Sequence, residues 1–117
     1  MNIEHYRDYC ISKKGVAESF PFDEKTLVFK VMNKMFALTG VENFDFVNLK
    51  CNPEEALELR ELHEGISGAY HMSKKHWNSV STKGDISDKL IYELIDNSYN
   101  LVVKSLTKKL QKELEEL

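Results

Sequence analysis

Residues 26–40 read TLVFKVMNKMFALTG, and this stretch decides the class of fold. It is rich in β-branched and aromatic residues, which favour extended chain. The polar pair Asn33-Lys34 interrupts it, and Asn tolerates the positive φ angles of a two-residue hairpin turn. The sequence therefore predicts two antiparallel strands, at 26–32 and 35–39, joined by a tight turn at Asn33-Lys34.

Further strands are predicted on both sides of this hairpin. Residues 44–50, FDFVNLK, alternate between apolar and polar types after a turn at Gly40, so they predict a third strand of an antiparallel meander. Residues 77–82, WNSVST, predict a last strand inside a less regular segment at 65–84. The aromatic segment at 19–22 contains Pro21, which restricts it to an edge or to the start of a strand.

Helices are predicted before and after the strands. Residues 3–14 carry apolar side chains at helical spacing and end on Lys13-Lys14-Gly15, a combination that suits a helix C-terminus. Asn52 and Pro53 begin a second helix that runs to residue 64. A long helix begins at 86–88, and a final helix is capped by Thr107. The predicted buried stripe of the second helix consists of Ala56, Leu57, Leu59 and Leu62.

Size and composition favour one folded domain at residues 1–117. Hydrophobic residues make up 42% and charged residues 30%, which excludes a disordered chain. Strands in the first half with helices before and after predict an α+β fold: a two-layer sandwich in which the terminal helices cover one face of an antiparallel sheet. The other face is expected to be at least partly open.

The compartment is predicted from the cysteines and from hydropathy. Cys10 and Cys51 lie far apart in the chain and form no C-x-x-C pair, so we expect both to be reduced apolar residues. The first residues are polar and do not resemble a signal peptide. No apolar run approaches the roughly 18 residues that span a bilayer. These features predict a cytoplasmic protein.

Charge is distributed unevenly along a chain whose net charge is −3. Segment 65–84 carries a charge of +3 and no acidic residue, whereas segment 51–64 carries −4. Lysines, hydroxyls and Trp77 in the basic segment could bind phosphates and stack on a base. Lys30 and Lys34 of the hairpin would extend this patch if the strands are neighbours. The alternative is a solvated loop in which Trp77 fills the core. The sequence alone leaves both interpretations open and favours the second.

Catalytic and metal-binding motifs are not recognisable. His71 and His76 are five residues apart, which does not fit the i, i+4 pairing of helical metal sites, and we expect each to be a structural residue at a strand end. The acidic run at 54–61 is typical of a helix that complements its own dipole. Gly-rich phosphate loops are absent, and Cys10 has no evident base beside it. The sequence therefore predicts a protein that is not an enzyme and has no cofactor or metal.

Three runs of the chain are distinctive: FDFVNLKCNPEEA at 44–56, AYHMSKKHWNSV at 69–80 and LIDNSYNLVV at 94–103. Together they resemble the MmcQ/YjbR family of small bacterial proteins, and the resemblance extends over essentially the whole chain. It implies a frataxin-like (CyaY-like) fold and DNA binding by a so-called double-wing arrangement. The implied contact residues are Lys30, Lys34, Lys50, Lys74, Lys75, His76, Trp77 and Asn78.

Two classes of function therefore remain as hypotheses. The first is a monomeric, non-enzymatic DNA-binding protein that contacts phosphates through a local basic patch. The second is a protein-interaction module that uses the exposed sheet face or the acidic helix. Metal handling on acidic positions, as in frataxin, is a weaker third hypothesis, because the first helix carries only Glu4 and Asp8 beside Arg7. The first hypothesis requires the lysines to converge on one exposed face.

Overall fold

The predicted hairpin lies inside a six-stranded antiparallel sheet in the computed structural model, which describes residues 1–117. The strands are β1 (Val16–Ser19), β2 (Thr26–Val31), β3 (Lys34–Gly40), β4 (Phe46–Lys50), β5 (Ile66–Gly68) and β6 (Trp77–Ser81). Their order across the sheet is β1-β2-β3-β4-β6-β5. The predicted meander is therefore present, with one edge strand at each side that the sequence did not define.

The hairpin turn lies one residue earlier than predicted. Met32 and Asn33 have φ angles of 48° and 69°, and Val31 pairs with Lys34 across the turn. Two consecutive positive φ angles match the right-handed twist of paired strands, which is why this kind of turn is favoured in two-residue hairpins. A register shift after Phe29 accompanies the turn. Asn33 therefore occupies the second turn position rather than the first.

Four helices complete the fold: α1 (Ile3–Ile11), α2 (Pro53–Leu62), α3 (Asp88–Ser105) and α4 (Lys108–Glu115). Side chains cap all four N-termini, because Asn2, Asn52, Ser87 and Thr107 each accept a hydrogen bond from a backbone N–H of the first turn. The predicted caps at Asn52 and Thr107 are confirmed. No helix has the length and apolar character needed to cross a membrane.

One face of the sheet is covered and the other is open, as predicted. Phe29 and Val47 point from the sheet into the core, which they share with Tyr6 of α1 and with Ile91 and Ile95 of α3. Strand residues alternate between faces, so the register places a second row of side chains on the opposite face. We call that side of the sheet the open face.

Several predicted details are wrong. The buried stripe of α2 is narrower than expected, because Leu57 and Leu62 are 58% and 75% exposed while Ala56 is fully buried. The first edge strand is β1 rather than the aromatic segment at 19–22. The strand predicted from residue 44 begins at 46, since Phe44 has a φ of 47° that takes the chain out of extended geometry.

Candidate nucleic-acid interface and open-face groove

The lysines of the predicted patch share one end of the sheet. Antiparallel pairing brings four strand termini to the same end of the sheet: the end of β2, the start of β3, the end of β4 and the start of β6. We call the five lysines at this end of the sheet the lysine end. They are Lys30, Lys34, Lys50, Lys74 and Lys75.

The lysine end does not form a single face, which corrects the expectation from the sequence. Alternation along β2 and β4 places Lys30 and Lys50 on the open face, about 10 Å apart across β3. Lys74 lies on the helix-covered side, where its side-chain carbons pack over Gly68. The loop before β6 directs Lys74 and Lys75 away from Lys30 and Lys50. This loop has no regular pattern in the sequence.

No lysine of the lysine end is paired with a carboxylate. The four ion pairs of the chain involve other cations, namely the N-terminus, Arg7, Lys13 and Lys25. Unpaired ammonium groups keep their full charge available for an external anion. An acidic group is nevertheless near, because Glu54 of α2 lines a shallow depression together with Lys74 and Lys75. The helix-side pair therefore lies in a mixed electrostatic environment.

Trp77 and Asn78 are both buried, which opposes the role that the family resemblance implied for them. Trp77 is 8% exposed and Asn78 is 2% exposed, so neither can lie flat against a nucleic acid at the surface. The Asn78 side chain accepts from Arg60 and donates to the carbonyl of Ala56 in α2. Trp77 is buried, as the core interpretation requires, but it lies on the open face of the sheet and outside the core cluster between the sheet and the helices.

Arg60 organises the loop that carries Lys74 and Lys75, a role that no pattern in the sequence indicates. Its Nε donates to Asn78 Oδ1 at 2.7 Å, and its Nη2 donates to the carbonyls of Lys74 and Trp77. One side chain of α2 thereby holds both β6 and the loop before it. A guanidinium suits this task because its donors form a rigid planar fork.

The histidines do not have the structural role that was expected. His71 and His76 are exposed, and neither side chain makes a hydrogen bond within the chain. His71 has a φ of 63°, which is uncommon for a residue with a Cβ. No three His, Cys, Asp or Glu side chains converge in a way that could hold a metal ion.

The two cysteines are free and buried. Burial raises the pKa of the Cys10 thiol to about 12, although a hydrogen bond with Tyr6 and the charge of Lys13 act in the opposite direction. Desolvation raises the pKa of the Cys51 thiol as well. A thiol is a poor nucleophile until it ionises, so neither cysteine is a candidate for covalent catalysis.

The open face carries a groove of about 800 Å³. Loops at its two ends close it, one before β2 and the other before β6. Aromatic and other apolar side chains form most of its lining: Phe22, Met35, Leu38, Phe46, Tyr70, Met72 and Trp77. Two of them are far out in solvent, since Phe22 is 65% and Tyr70 is 75% exposed. Exposed aromatic residues around one concave surface are typical of a binding site.

The floor of the groove holds a buried polar side chain. Asn48 is 4% exposed and lies in the register row between Leu38 and Ser79. Its Nδ2 donates to the sulfur of Met72 at 3.5 Å, while its Oδ1 accepts no hydrogen bond from the chain. A buried carbonyl oxygen without a donor costs roughly 1–3 kcal/mol, and proteins usually avoid that arrangement.

Comparison with known sequences identifies the family. A family model described as YjbR matches residues 11–101, which include the hairpin, the groove and the lysine end. The chain belongs to the YjbR family. It is 36% identical to the protein YjbR of Escherichia coli K12 over the full length of both chains. It is 40% identical to YbdF of Escherichia coli O157:H7 over 80% of this chain and 77% of that one.

Solved structures of similar proteins have the same architecture as this YjbR-family chain. A Deinococcus radiodurans protein with a DUF419 domain is 40% identical, with a TM-score of 0.90 over 97% of this chain and 88% of that one. A Pseudomonas syringae protein is 30% identical, with a TM-score of 0.72 over 86% of this chain and 98% of that one. The family resemblance read from the sequence is therefore confirmed.

Proposed function

We propose that this YjbR-family chain is a DNA-binding protein without catalytic activity that contacts the sugar-phosphate backbone through the lysine end. The lysines do not share the single face that the hypothesis from the sequence required, so the proposal rests on a different observation: five lysines lie at one end of the sheet, and none of them is in an ion pair. Cations without intramolecular partners can neutralise phosphates at no cost in broken salt bridges.

The residues of the lysine end favour contact with the DNA sugar-phosphate backbone over recognition of individual bases. Lysine binds phosphate as a flexible point charge, whereas base recognition in the major groove commonly uses paired donors of Arg, Asn or Gln. Asn78, the amide carried over from the family resemblance, is buried and occupied by Arg60. His76 is exposed and is the one neighbour of the lysines that remains free to join them.

The footprint is expected to be small. The net charge is −3, and Glu54 lies beside the helix-side lysines, so approach of DNA to other surfaces is opposed. Three to five phosphate contacts on duplex DNA give a slope of roughly −3 to −5 in log affinity against log salt. Binding should thus be weak and strongly dependent on ionic strength.

Fluorescence anisotropy with a labelled duplex at several salt concentrations tests the proposal. We expect the slope just given for the native chain, and a loss of about 1.8 in that slope for the double variant Lys30→Glu, Lys50→Glu, since two contacts disappear. The variant Lys74→Glu, Lys75→Glu tests the helix-side pair in the same way. If the whole edge acts together, each double variant weakens binding.

A matched control has the same change in net charge. Lys83 follows β6 at the opposite end of the sheet, and Lys89 lies on α3, so Lys83→Glu, Lys89→Glu should bind DNA much like the native chain. Equal loss of binding in the control would show a general charge effect. Absence of binding at low salt, or binding that does not respond to salt, contradicts the proposal.

The second candidate function is a protein-interaction module. The exposed aromatic residues of the open face favour it, as does the acidic surface of α2, where Glu55 and Glu58 are exposed. Capture of a defined partner, lost on Glu55→Lys, Glu58→Lys, with no detectable DNA binding, would favour this function. Capture unaffected by the reversal would assign the contact to the open face instead.

Three further proposals accompany the DNA-binding function. A frataxin-like arrangement of the sheet and helices remains a proposal, and superposition on a frataxin would test it. A monomer in the cytoplasm is likewise proposed, the monomer because nothing in the DNA-binding role requires a second copy. Sedimentation at several protein concentrations tests the monomer, and cell fractionation tests the compartment.

A further inference from the structure

The open-face groove combines a polar floor with aromatic walls. Its volume of about 800 Å³ falls within the range of small-molecule pockets. Asn48 and Ser79 are paired across β4 and β6, so an amide and a hydroxyl lie side by side on the floor. Phe46 and Trp77 belong to the same two strands and line the groove around them. Flat walls around two polar groups select a flat ligand with a polar edge.

The amide of Asn48 has one orientation that fits its surroundings. The Met72 thioether can accept a hydrogen bond but cannot donate one, so the Nδ2 of Asn48 faces the sulfur. Its Oδ1 is then the end without a partner. The occupant must therefore bring a donor. Met72 is unbranched and half-buried, and its flexible side chain can move aside to admit that donor.

We propose that the open-face groove binds a small planar heteroaromatic molecule whose ring N–H donates to Asn48 Oδ1. The aromatic walls hold the ring by stacking and edge contacts, and the amide oxygen selects rings that carry a donor. The left-handed backbone of His71, in the loop that closes one end, is strained in a way that often accompanies ligand sites. Lys30 and Lys50 adjoin this site as cross-strand neighbours of Met35 and Trp77, but the proposal does not depend on DNA binding.

Indole and benzofuran provide a matched pair of probes, because they have the same shape and differ in the ring N–H. The chain contains one Trp, so its side-chain N–H gives a single resonance in a ¹⁵N-correlated NMR spectrum. We expect indole to shift the resonances of Trp77 and of the Asn48 amide, with an affinity about 3–10-fold higher than that of benzofuran, as one hydrogen bond predicts.

The variant Asn48→Ala should bind both probes equally, while Asn100→Ala, an exposed site on α3, should retain the preference. Met72→Ala removes the acceptor that fixes the orientation of the Asn48 amide, so it should reduce the preference for indole, and it provides a second test if Asn48→Ala does not fold. The proposal is overturned if indole shifts no groove resonance, or if the native chain does not distinguish the two probes.

Two other outcomes also count against the proposal. Groove resonances that change with protein concentration in the absence of probe would show that a second copy occupies the open face. Loss of indole binding in the Lys30→Glu, Lys50→Glu variant would make the groove a part of the lysine end. Retention of the preference in that variant, together with weakened DNA binding, is the result that we expect.

Discussion

The two buried asparagines of the sheet, Asn48 and Asn78, have different roles. The amide of Asn78 is hydrogen-bonded at both ends, by Arg60 and by a carbonyl of α2, whereas that of Asn48 is not. Asn48 lies on the neighbouring strand and has its oxygen free. Because the first amide is satisfied within the fold, it stabilises the chain. The second is the one available to a ligand.

Replacing Arg60 with alanine should lower the free energy of unfolding by about 2 kcal/mol, because Asn78 Oδ1 becomes a buried acceptor without a donor. Urea unfolding measures the loss, and faster amide hydrogen exchange at residues 69–76 should accompany it. Arg7→Ala is the control. Its guanidinium also donates through Nε, but Arg7 itself is exposed and its partner Glu18 is only half-buried, so a smaller loss is expected. Equal losses of stability in the two variants would show that the hydrogen bonds of Arg60 to β6 and its preceding loop add no special stability.

At the scale of elements, the β2–β3 hairpin is held by a turn whose residues are not the best for their backbone. Met32 and Asn33 both have positive φ, where Asn-Gly is the favoured pair. Met32 is half-buried against the core, which compensates for its strained backbone. Asn33 is exposed and has no such compensation, so the turn can be improved at that position.

The substitution Asn33→Gly should raise the free energy of unfolding by about 0.5 kcal/mol, because glycine adopts the required φ at no steric cost. Thermal and urea unfolding both measure this gain. The same substitution at Asn100, exposed within α3, should have the opposite sign, since glycine lowers helix stability. A loss of stability at both sites would mean that the turn does not set the hairpin's stability.

At the scale of the whole molecule, a polar cluster joins the first helix region to α3. Asp96 accepts from Tyr9 at 2.6 Å and from Lys13, contacts that connect residues more than 80 positions apart. Partial burial opposes ionisation of Asp96, but the hydrogen bonds from Lys13 and Tyr9 outweigh it and hold its pKa below the usual 3.8. The same contact with Asp96, together with burial, raises the pKa of Tyr9 to about 12.

Removing this charge with Asp96→Asn should lower the free energy of unfolding by about 1 kcal/mol at pH 7. A carboxylate with a lowered folded pKa contributes stability above its unfolded pKa, and the contribution is lost as pH falls through the folded pKa. The difference between native chain and variant should thus shrink below about pH 4. Asp45→Asn removes an exposed carboxylate that makes no side-chain hydrogen bond, so it controls for the change in net charge and should leave the free energy of unfolding at pH 7 nearly unchanged. A difference independent of pH would contradict the assignment.

The distribution of positive charge in the folded molecule differs from its distribution along the sequence. Along the chain, the basic segment at 65–84 looked like one patch. In the structure, Lys74 packs over Gly68 at the start of β6, whereas Lys83 follows the end of β6 at the opposite end of the sheet. The lysine end also includes side chains on both faces of the sheet. Lys74 and Lys75 lie on the helix side because the path of their loop is determined by Arg60.

Local pattern determined most of the architecture. The strand within residues 44–50, the β-rich hairpin and the caps at Asn52 and Thr107 depend on neighbours a few positions away, so the sequence predicted these elements, with the strand start and the turn displaced by one or two residues. Strand β5 was missed, because three residues with two small side chains carry no period of their own. Its identity as a strand depends on pairing with β6.

Tertiary structure alone decided the candidate sites. Nothing near Asn48 in the chain distinguishes it from Asn78, and the two differ only because β4 turns one amide toward the groove while β6 turns the other toward Arg60. Hydrogen bonds of this kind connect residues 18 or 24 positions apart. Side-chain periodicity reports which residues are buried, but the partner of a buried polar group depends on how distant elements meet.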